Sequence, residues 1–455
     1  MLQVYGKSEI RMRDIAVTLL VIMGLVYTLK KPHWGILLWS WLGYMNPHRL
    51  CYGFAYSMPF AQITAIVTMV SFLFSNEKKR LPNNAIVYLL LIFILWMGVT
   101  TIFAFEPVYA KEQCIKIFKI QLPIILTMML FNSRQRVEQL LWVIVISLGY
   151  FGTKGGIFTL LTGGGFRVYG PPSSFVEENN SLAIATLMVI PLMVYLRATL
   201  NKQWQKQLML FAMISMGFSV IGSQSRGAFL AILTVGGYYW LQSDRKLVTA
   251  IPIVIFTAVL LALLPESWYE RMNTINTYDK DASAMGRIYA WKLAFNVANH
   301  NFFGGGLNLW SKITYINYLP EFDPLKNKAF VAHSIYFSVL GEHGWIGLFL
   351  FLTLFYLGWR QCNRLIKRCQ NNEEANWITE LAKMIKVSLL AYFSGGAFLS
   401  LSYFDLPWHL LAIIVVLKEI ANQTLHEKQE IEHPVILDDT YQPEKIKISD
   451  QGFIH

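Results

Sequence analysis

Charge is scarce in this sequence. Only 15% of its 455 residues are Asp, Glu, Lys or Arg, and 55% are hydrophobic, whereas a soluble chain carries roughly 25% charged residues. A soluble chain of this length would divide into about three domains and break its apolar runs with polar faces. Here apolar stretches of membrane-spanning length recur from Ile15 to Ile420 with short polar links between them. That pattern excludes a soluble enzyme and a disordered chain together. Cysteine is sparse as well. Cys51, Cys114, Cys362 and Cys369 fit no disulfide framework, and the last two have neither zinc nor redox spacing, so they read as inert or solvated thiols. The glycine runs 163–165 and 304–306 match no phosphate-loop or dinucleotide fingerprint and have no strand before them, which leaves turns or hinges. Asp279-Lys280-Asp281 has the Asp-x-Asp form that holds a divalent metal in nucleotide-sugar transferases, but a hard cation needs more oxygen ligands than these. No metal and no cofactor are expected. The net charge of +11 calls for no nucleic acid, because Lys and Arg collect in the cytoplasmic loops of a polytopic membrane protein.

Runs near 20 apolar residues, enough for a hydrocarbon core about 30 Å thick, give 12 or 13 spans. They are 15–29, 33–45, 57–75, 84–104, 115–131, 137–160, 179–197, 206–222, 226–242, 247–264, 334–359, 384–402 and 405–421. Most are too long and too uniformly apolar for barrel strands, so the fold expected is an all-α, polytopic transmembrane helical bundle. The first span lacks a small-residue cleavage site and reads as retained. Residues 1–425 form one transmembrane domain in this reading, and 426–455 a polar cytoplasmic tail, disordered for want of apolar periodicity.

Five basic links mark the cytoplasmic side: Lys78 to Arg80; Arg134 and Arg136; Arg197, Lys202 and Lys206; Arg245 and Lys246; and Arg360 to Arg368 with Lys383. The start of the chain pulls two ways. Lys30 and Lys31 predict an inside link, while Lys7, Arg11 and Arg13 predict an inside N-terminus; both hold only if the first two segments do not each cross. On the opposite face the conspicuous feature is 265–333, nearly 70 residues in a chain of short loops. Its pattern predicts partly helical segments that pack back on the membrane as a cap over an outward-facing cavity.

His333 stands where that loop re-enters the membrane, in Val331-Ala332-His333-Ser334-Ile335-Tyr336. Imidazole suits proton abstraction near neutral pH, and it equally suits a capping role at an interface. The outer face also carries arginines that topology does not explain. Arg167 lies in Gly163-Gly164-Gly165-Phe166-Arg167-Val168-Tyr169, Arg226 in Ser223-Gln224-Ser225-Arg226-Gly227, and Arg287 in Met285-Gly286-Arg287-Ile288. A guanidinium matches phosphate oxygens in a bidentate fork, so arginines beside a histidine suggest a diphosphate held against a base. For Arg167 and Arg287, snorkelling or a surface pair fits the spacing equally well. Tyr336, one turn after His333, and Tyr169, beside Arg167, are candidates to line the cavity, with core packing the plain alternative for Tyr336.

Ser225-Arg226-Gly227-Ala228 opening a span, Gly286-Arg287 with Trp291 ahead of Phe303-Gly304-Gly305-Gly306, and Ala332-His333-Ser334 followed by Glu342, Gly344 and Gly347 resemble the O-antigen ligase and polymerase superfamily. The order of the motifs and the long loop before the histidine match as well, from about Arg13 to Ile420. Trp41-Leu42-Gly43-Tyr44-Met45-Asn46-Pro47-His48-Arg49 is similar to a subgroup of O-glycosylation ligases linked to exosortase systems. The resemblance implies a multi-pass enzyme of the bacterial inner membrane with its active site facing the periplasm. It implies a glycan donor on undecaprenyl diphosphate, an acceptor hydroxyl on lipid A core oligosaccharide deprotonated by His333, and inversion at the anomeric carbon without a metal. Arg226 and Arg287 would hold the diphosphate, with Arg167 as a third donor. Ser334 departs from the family, where many relatives have Asn. A polymerase acting on another lipid-linked repeat and a protein O-oligosaccharyltransferase share this chemistry. A lipid-linked glycan transporter is the rival of another class, and it would show internal repeats that this chain lacks.

Overall fold

The computed structural model describes residues 2–242, 282–325 and 327–432, together with isolated positions between 246 and 258. Among the described residues the regular structure is helical, in fourteen α-helices and two short 3-10 turns. The helices are α1 (Leu2–Lys30), α2 (His33–Tyr44), α3 (Phe60–Phe74), α4 (Ala85–Ile102), α5 (Pro107–Leu130), α6 (Arg134–Leu161) and α7 (Asn179–Thr199). They continue as α8 (Gln203–Gly222), α9 (Arg226–Gln242), α10 (Ala282–His300), α11 (Lys312–Tyr318), α12 (Ile335–Cys369), α13 (Asn376–Gly396) and α14 (Asp405–Glu432). Among the described residues, six stretches are long and apolar enough to cross a membrane: Met12–Lys30 of α1, and the whole of α4, α5, α6, α7 and α12. The all-α polytopic bundle is therefore the observed architecture. The predicted span 247–264 and the Asp279-Lys280-Asp281 motif lie outside the described residues, apart from isolated positions of the former.

Local chemistry explains the boundaries. Asn84 caps α4 by accepting from the Ile86 N–H at 3.0 Å, Ser133 caps α6 through the Arg136 N–H at 3.4 Å, and α5 starts on Pro107, whose missing N–H costs nothing there. Helices α5 and α12 outrun the predicted spans because a helix continues past its apolar stretch wherever polar side chains reach its ends. Helix α13 does the reverse: it ends at Gly396, six residues short of the predicted 402, and 397–404 is irregular. Helix α14 carries on to Glu432, into the first residues of the expected tail, and 433–455 lie outside the described residues.

Between α6 and α8 the backbones meet at small residues. A Cβ on Gly156 would stand 1.6 Å from the Ser215 carbonyl oxygen, so only glycine permits that approach. Small residues are how helices pack closely where lipid removes the hydrophobic drive to associate. Helix α13 is pinned to α7 by Ser388 Oγ, which donates to the Met188 carbonyl at 2.7 Å.

The two ends of the bundle differ. At one end the basic links gather: Arg136 pairs with Glu77 at 2.7 Å, Arg134 lies 5.4 Å from the centre of the Trp377 ring, and Arg197 donates to the Lys206 carbonyl at 3.0 Å. Lys30 and Lys31 line a cleft with Glu77 at this end, so the link between α1 and α2 belongs with the basic loops. The other end of α1 is held by Asp14, which accepts from the Ala55 N–H at 2.7 Å. Helix α1 thus runs the length of the bundle and puts Arg13 at the irregular end, so of the two conflicting signals the Lys30-Lys31 link is the one obeyed. Helix α2 has 12 residues, about 18 Å of helix and too short to cross alone.

The irregular end holds the long loop. Helices α10 and α11 fall within it, and Ala290, Leu293, Val297, Leu309, Tyr315, Leu319 and Phe322 form a small core of their own beneath them. The partly helical segment expected there is present in the residues described.

Candidate active site

His333 occupies the irregular end, two residues before α12, and its backbone lies in the left-handed region with φ 43°. A side chain other than glycine held there costs about 1–3 kcal/mol, so neighbours must impose it. Three do so. Tyr315 Oη donates to the Phe330 carbonyl at 2.8 Å, Trp291 Nε1 to the Ala332 carbonyl at 2.7 Å, and Ser402 Oγ to the Ile335 carbonyl at 3.2 Å. The Trp291 ring is stacked on Phe337, with centroids 5.1 Å apart and planes 10° from parallel. Gly286, just before Arg287, lies under the Phe330 ring, where a Cβ would approach to 2.6 Å.

The imidazole is half-buried, and among the described residues no hydrogen bond engages its ring. Burial lowers its pKa below the ordinary 6.5, the Arg287 guanidinium lowers it further, and the Glu178 carboxylate opposes both. The ring is thereby kept neutral with lone-pair capacity at neutral pH, as a base requires. Ser334 follows as the residue preceding α12. Its hydroxyl is buried and makes no hydrogen bond among the described residues.

Arg287 and His333 are brought together across the start of α10 and the loop before α12. Arg226 is the first residue of α9 and is exposed. A Cβ on Gly227 would stand 3.6 Å from Phe398, whose ring lies 6.1 Å from Trp291, so the start of α9 adjoins the wall that holds the His333 loop. Asn179 Nδ2 donates to the Ser223 carbonyl at 2.7 Å and fastens the start of α7, with Glu178, to the turn before Arg226. Helices α7, α9 and α12 all begin at this end, and the partial positive charge of a helix N-terminus favours an anion near it.

Arg167 and Tyr169 stand elsewhere. They line a cleft of about 330 Å³ with Leu50, Lys154 and Phe158. The link to the turn of Arg226 is one bond, from Gln224 Nε2 to the Gly164 carbonyl at 3.1 Å. Tyr336 faces α13, with its hydroxyl donating to the Phe393 carbonyl at 3.0 Å and its ring stacked on Phe393.

Sequence reasoning missed Glu178. The signal was a carboxylate, in Glu177-Glu178-Asn179, immediately before a predicted span on the arginine-bearing face.

Residues 211–352, which include Arg226, Arg287 and His333, match the family described as O-antigen ligase. This stretch of the chain is similar to the O-antigen ligase family. Together with the apolar helices, the match supports a membrane glycan enzyme of the ligase and polymerase type. Ahead of this ligase region, residues 12–201 match a family of unknown function, DUF5935, which takes in Arg167, Tyr169 and Glu178. No curated protein matches the chain. The candidate site thus draws on both matched regions, with Glu178 in the first and His333, Arg226 and Arg287 in the second.

Proposed function

We propose that the chain transfers a glycan en bloc from a polyprenyl diphosphate, of the undecaprenyl type, to a hydroxyl of lipid A core oligosaccharide at the periplasmic face of the inner membrane. The observation that carries this reading is a half-buried histidine whose ring has no hydrogen bond among the described residues, held in a strained loop beside Arg287 at the bundle end where three helices begin. His333 takes the proton of the acceptor hydroxyl as that oxygen attacks the anomeric carbon. The bond from that carbon to the diphosphate oxygen breaks with inversion, and the electron pair leaves on the diphosphate. Arg226 and Arg287 hold the leaving group and stabilise the charge that grows on it. Arg167 is the peripheral third donor, on a loop tied to the turn of Arg226. Glu178, whose charge reaches the imidazole, stabilises the imidazolium formed in the step.

The test is transfer by the purified full chain in liposomes, with a polyprenyl-diphosphate-linked glycan and three acceptors supplied separately: lipid A core, a second lipid-linked repeat, and a Ser- and Thr-containing protein. Glycosylation of the lipid A core, undiminished by EDTA, is expected. Transfer to the repeat alone or to the protein alone would overturn the acceptor assignment, and loss in EDTA restored by Mg²⁺ would return the metal role to Asp279 and Asp281.

A further inference from the structure

Helix α12 is broken. At Gly344 the backbone turns to φ 66°, ψ −170°, splitting it into a short piece that begins just after His333 and a long membrane-crossing piece. In an unbroken helix the carbonyls of residues 341, 342 and 343 would accept from N–H groups four residues on. Three outside donors take them instead. The Gly305 N–H bonds the Gly341 carbonyl at 2.8 Å, the Gly306 N–H bonds the Glu342 carbonyl at 3.0 Å, and Trp96 Nε1 bonds the His343 carbonyl at 2.9 Å. The glycines are required by proximity, since a Cβ on Gly304 would stand 2.6 Å from the Gly344 nitrogen. The run 304–306 is therefore a strap laid across the break and not a free hinge, and the Phe105 N–H holds its other side through the Gly305 carbonyl at 2.9 Å.

The Glu342 side chain is buried beneath this strap. Tyr403 Oη donates to Glu342 Oε2 at 2.6 Å, and the Trp310 indole N–H and the Asn308 backbone N–H also bond the carboxyl. Asn308 presents its N–H from a left-handed backbone, φ 63°. An indole and an amide N–H can only donate, so these groups fit a carboxylate acceptor. The same Tyr403 Oη lies 2.8 Å from His343 Nε2, and Thr100 Oγ1 lies 2.7 Å from His343 Nδ1, so both ring nitrogens of His343 are engaged. One carboxylate thus orients the loop at 308–310, the irregular 397–404 segment and, through His343, helix α4. A buried ionisable group at membrane depth is costly unless it has a function or a partner set of this kind.

Resting on the functional reading above, we propose that Glu342 is a positioning residue for His333: it locks the 302–310 strap and the 397–404 segment onto the short piece of α12, fixing the depth and rotation at which that piece presents the histidine. The 397–404 segment also reaches the His333 loop directly and at two points, Ser402 through the Ile335 carbonyl and Phe398 through Trp291.

The test compares the full chain in lipid nanodiscs with Glu342→Gln, Tyr403→Phe and His333→Ala. Backbone hydrogen exchange at Gly305 and Gly306, thermal stability, and kcat, KM and the pH dependence of transfer are measured for each. In Glu342→Gln a single amide oxygen faces the three donors. Exchange at both glycines is expected to rise, kcat to fall about tenfold to a hundredfold with donor KM little changed, and the acid limb of the pH profile to move up as His333 loses its burial. Tyr403→Phe shifts every readout the same way by less, and it decides the matter if Glu342→Gln does not fold. Parental exchange and parental kcat in a folded Glu342→Gln or Tyr403→Phe protein would overturn the proposal, as would a stability loss with an unmoved pH profile. His333→Ala separates the two readings: it should lose transfer while keeping parental exchange at the strap, and parental transfer in that variant would sink the functional reading itself.

Discussion

His333 and His343 stand ten residues apart, on either side of the short piece of α12, and their surroundings are opposite. His343 is fully buried, with Thr100 on one ring nitrogen and Tyr403 on the other. His333 is half-buried, its ring has no hydrogen bond among the described residues, and its backbone is strained. Hydrogen bonds on both nitrogens fix a tautomer and leave neither nitrogen open to a substrate hydroxyl. An open imidazole beside a guanidinium, in a loop whose conformation three neighbours impose, is arranged for chemistry at a cost in stability. The difference teaches that sequence distance from a motif says little about role, while the count of engaged ring nitrogens says a good deal.

The comparison breaks most sharply under His333→Ala. We expect transfer to fall about a thousandfold, within the range general-base catalysis supplies, with thermal denaturation in detergent little changed, since alanine keeps the same left-handed backbone. A parental initial rate would remove the base assignment. His343→Ala should do the reverse. It removes one hydrogen bond each from Thr100 and Tyr403 and opens a cavity, so a loss of about 2–4 kcal/mol in folding stability is expected, read by denaturation of the purified protein. An unchanged melting curve would mean that the network adds nothing to the fold. The smallest effect is in pH. The Glu178 charge raises the His333 pKa against burial and Arg287, so Glu178→Gln should let it fall further. With His333 as the proposed base the neutral ring is the active form, so the acid limb of kcat/KM should lie below pH 6.5 in the parent and move to still lower pH in the variant. A limb that stays or rises would show that Glu178 does not act on His333.

Much of this was legible beforehand. Long apolar runs and basic links are local properties, so the helical bundle and the grouping of its basic ends followed from composition and spacing. His333 and Arg287 were legible because charged and titratable groups at the outer ends of spans are hard to explain by topology alone. Glu342 was not. On a straight helix it points away from its neighbours in sequence, and only the break at Gly344 exposes the carbonyls that draw the glycine strap over it. Arg167 was grouped with Arg226 and Arg287 by face alone, whereas the fold gives it a separate cleft with Lys154.

The sequence by itself determined what each segment is: membrane-spanning or polar, basic end or outer end, glycine where backbones must meet. Tertiary structure decided which of its polar groups act together. Hydrophobic periodicity is read within a dozen residues, but hydrogen-bond partners such as Thr100, Tyr403 and Trp310 come from segments tens to hundreds of residues away from Glu342 and His343. Whether a buried histidine is engaged or open depends on those partners.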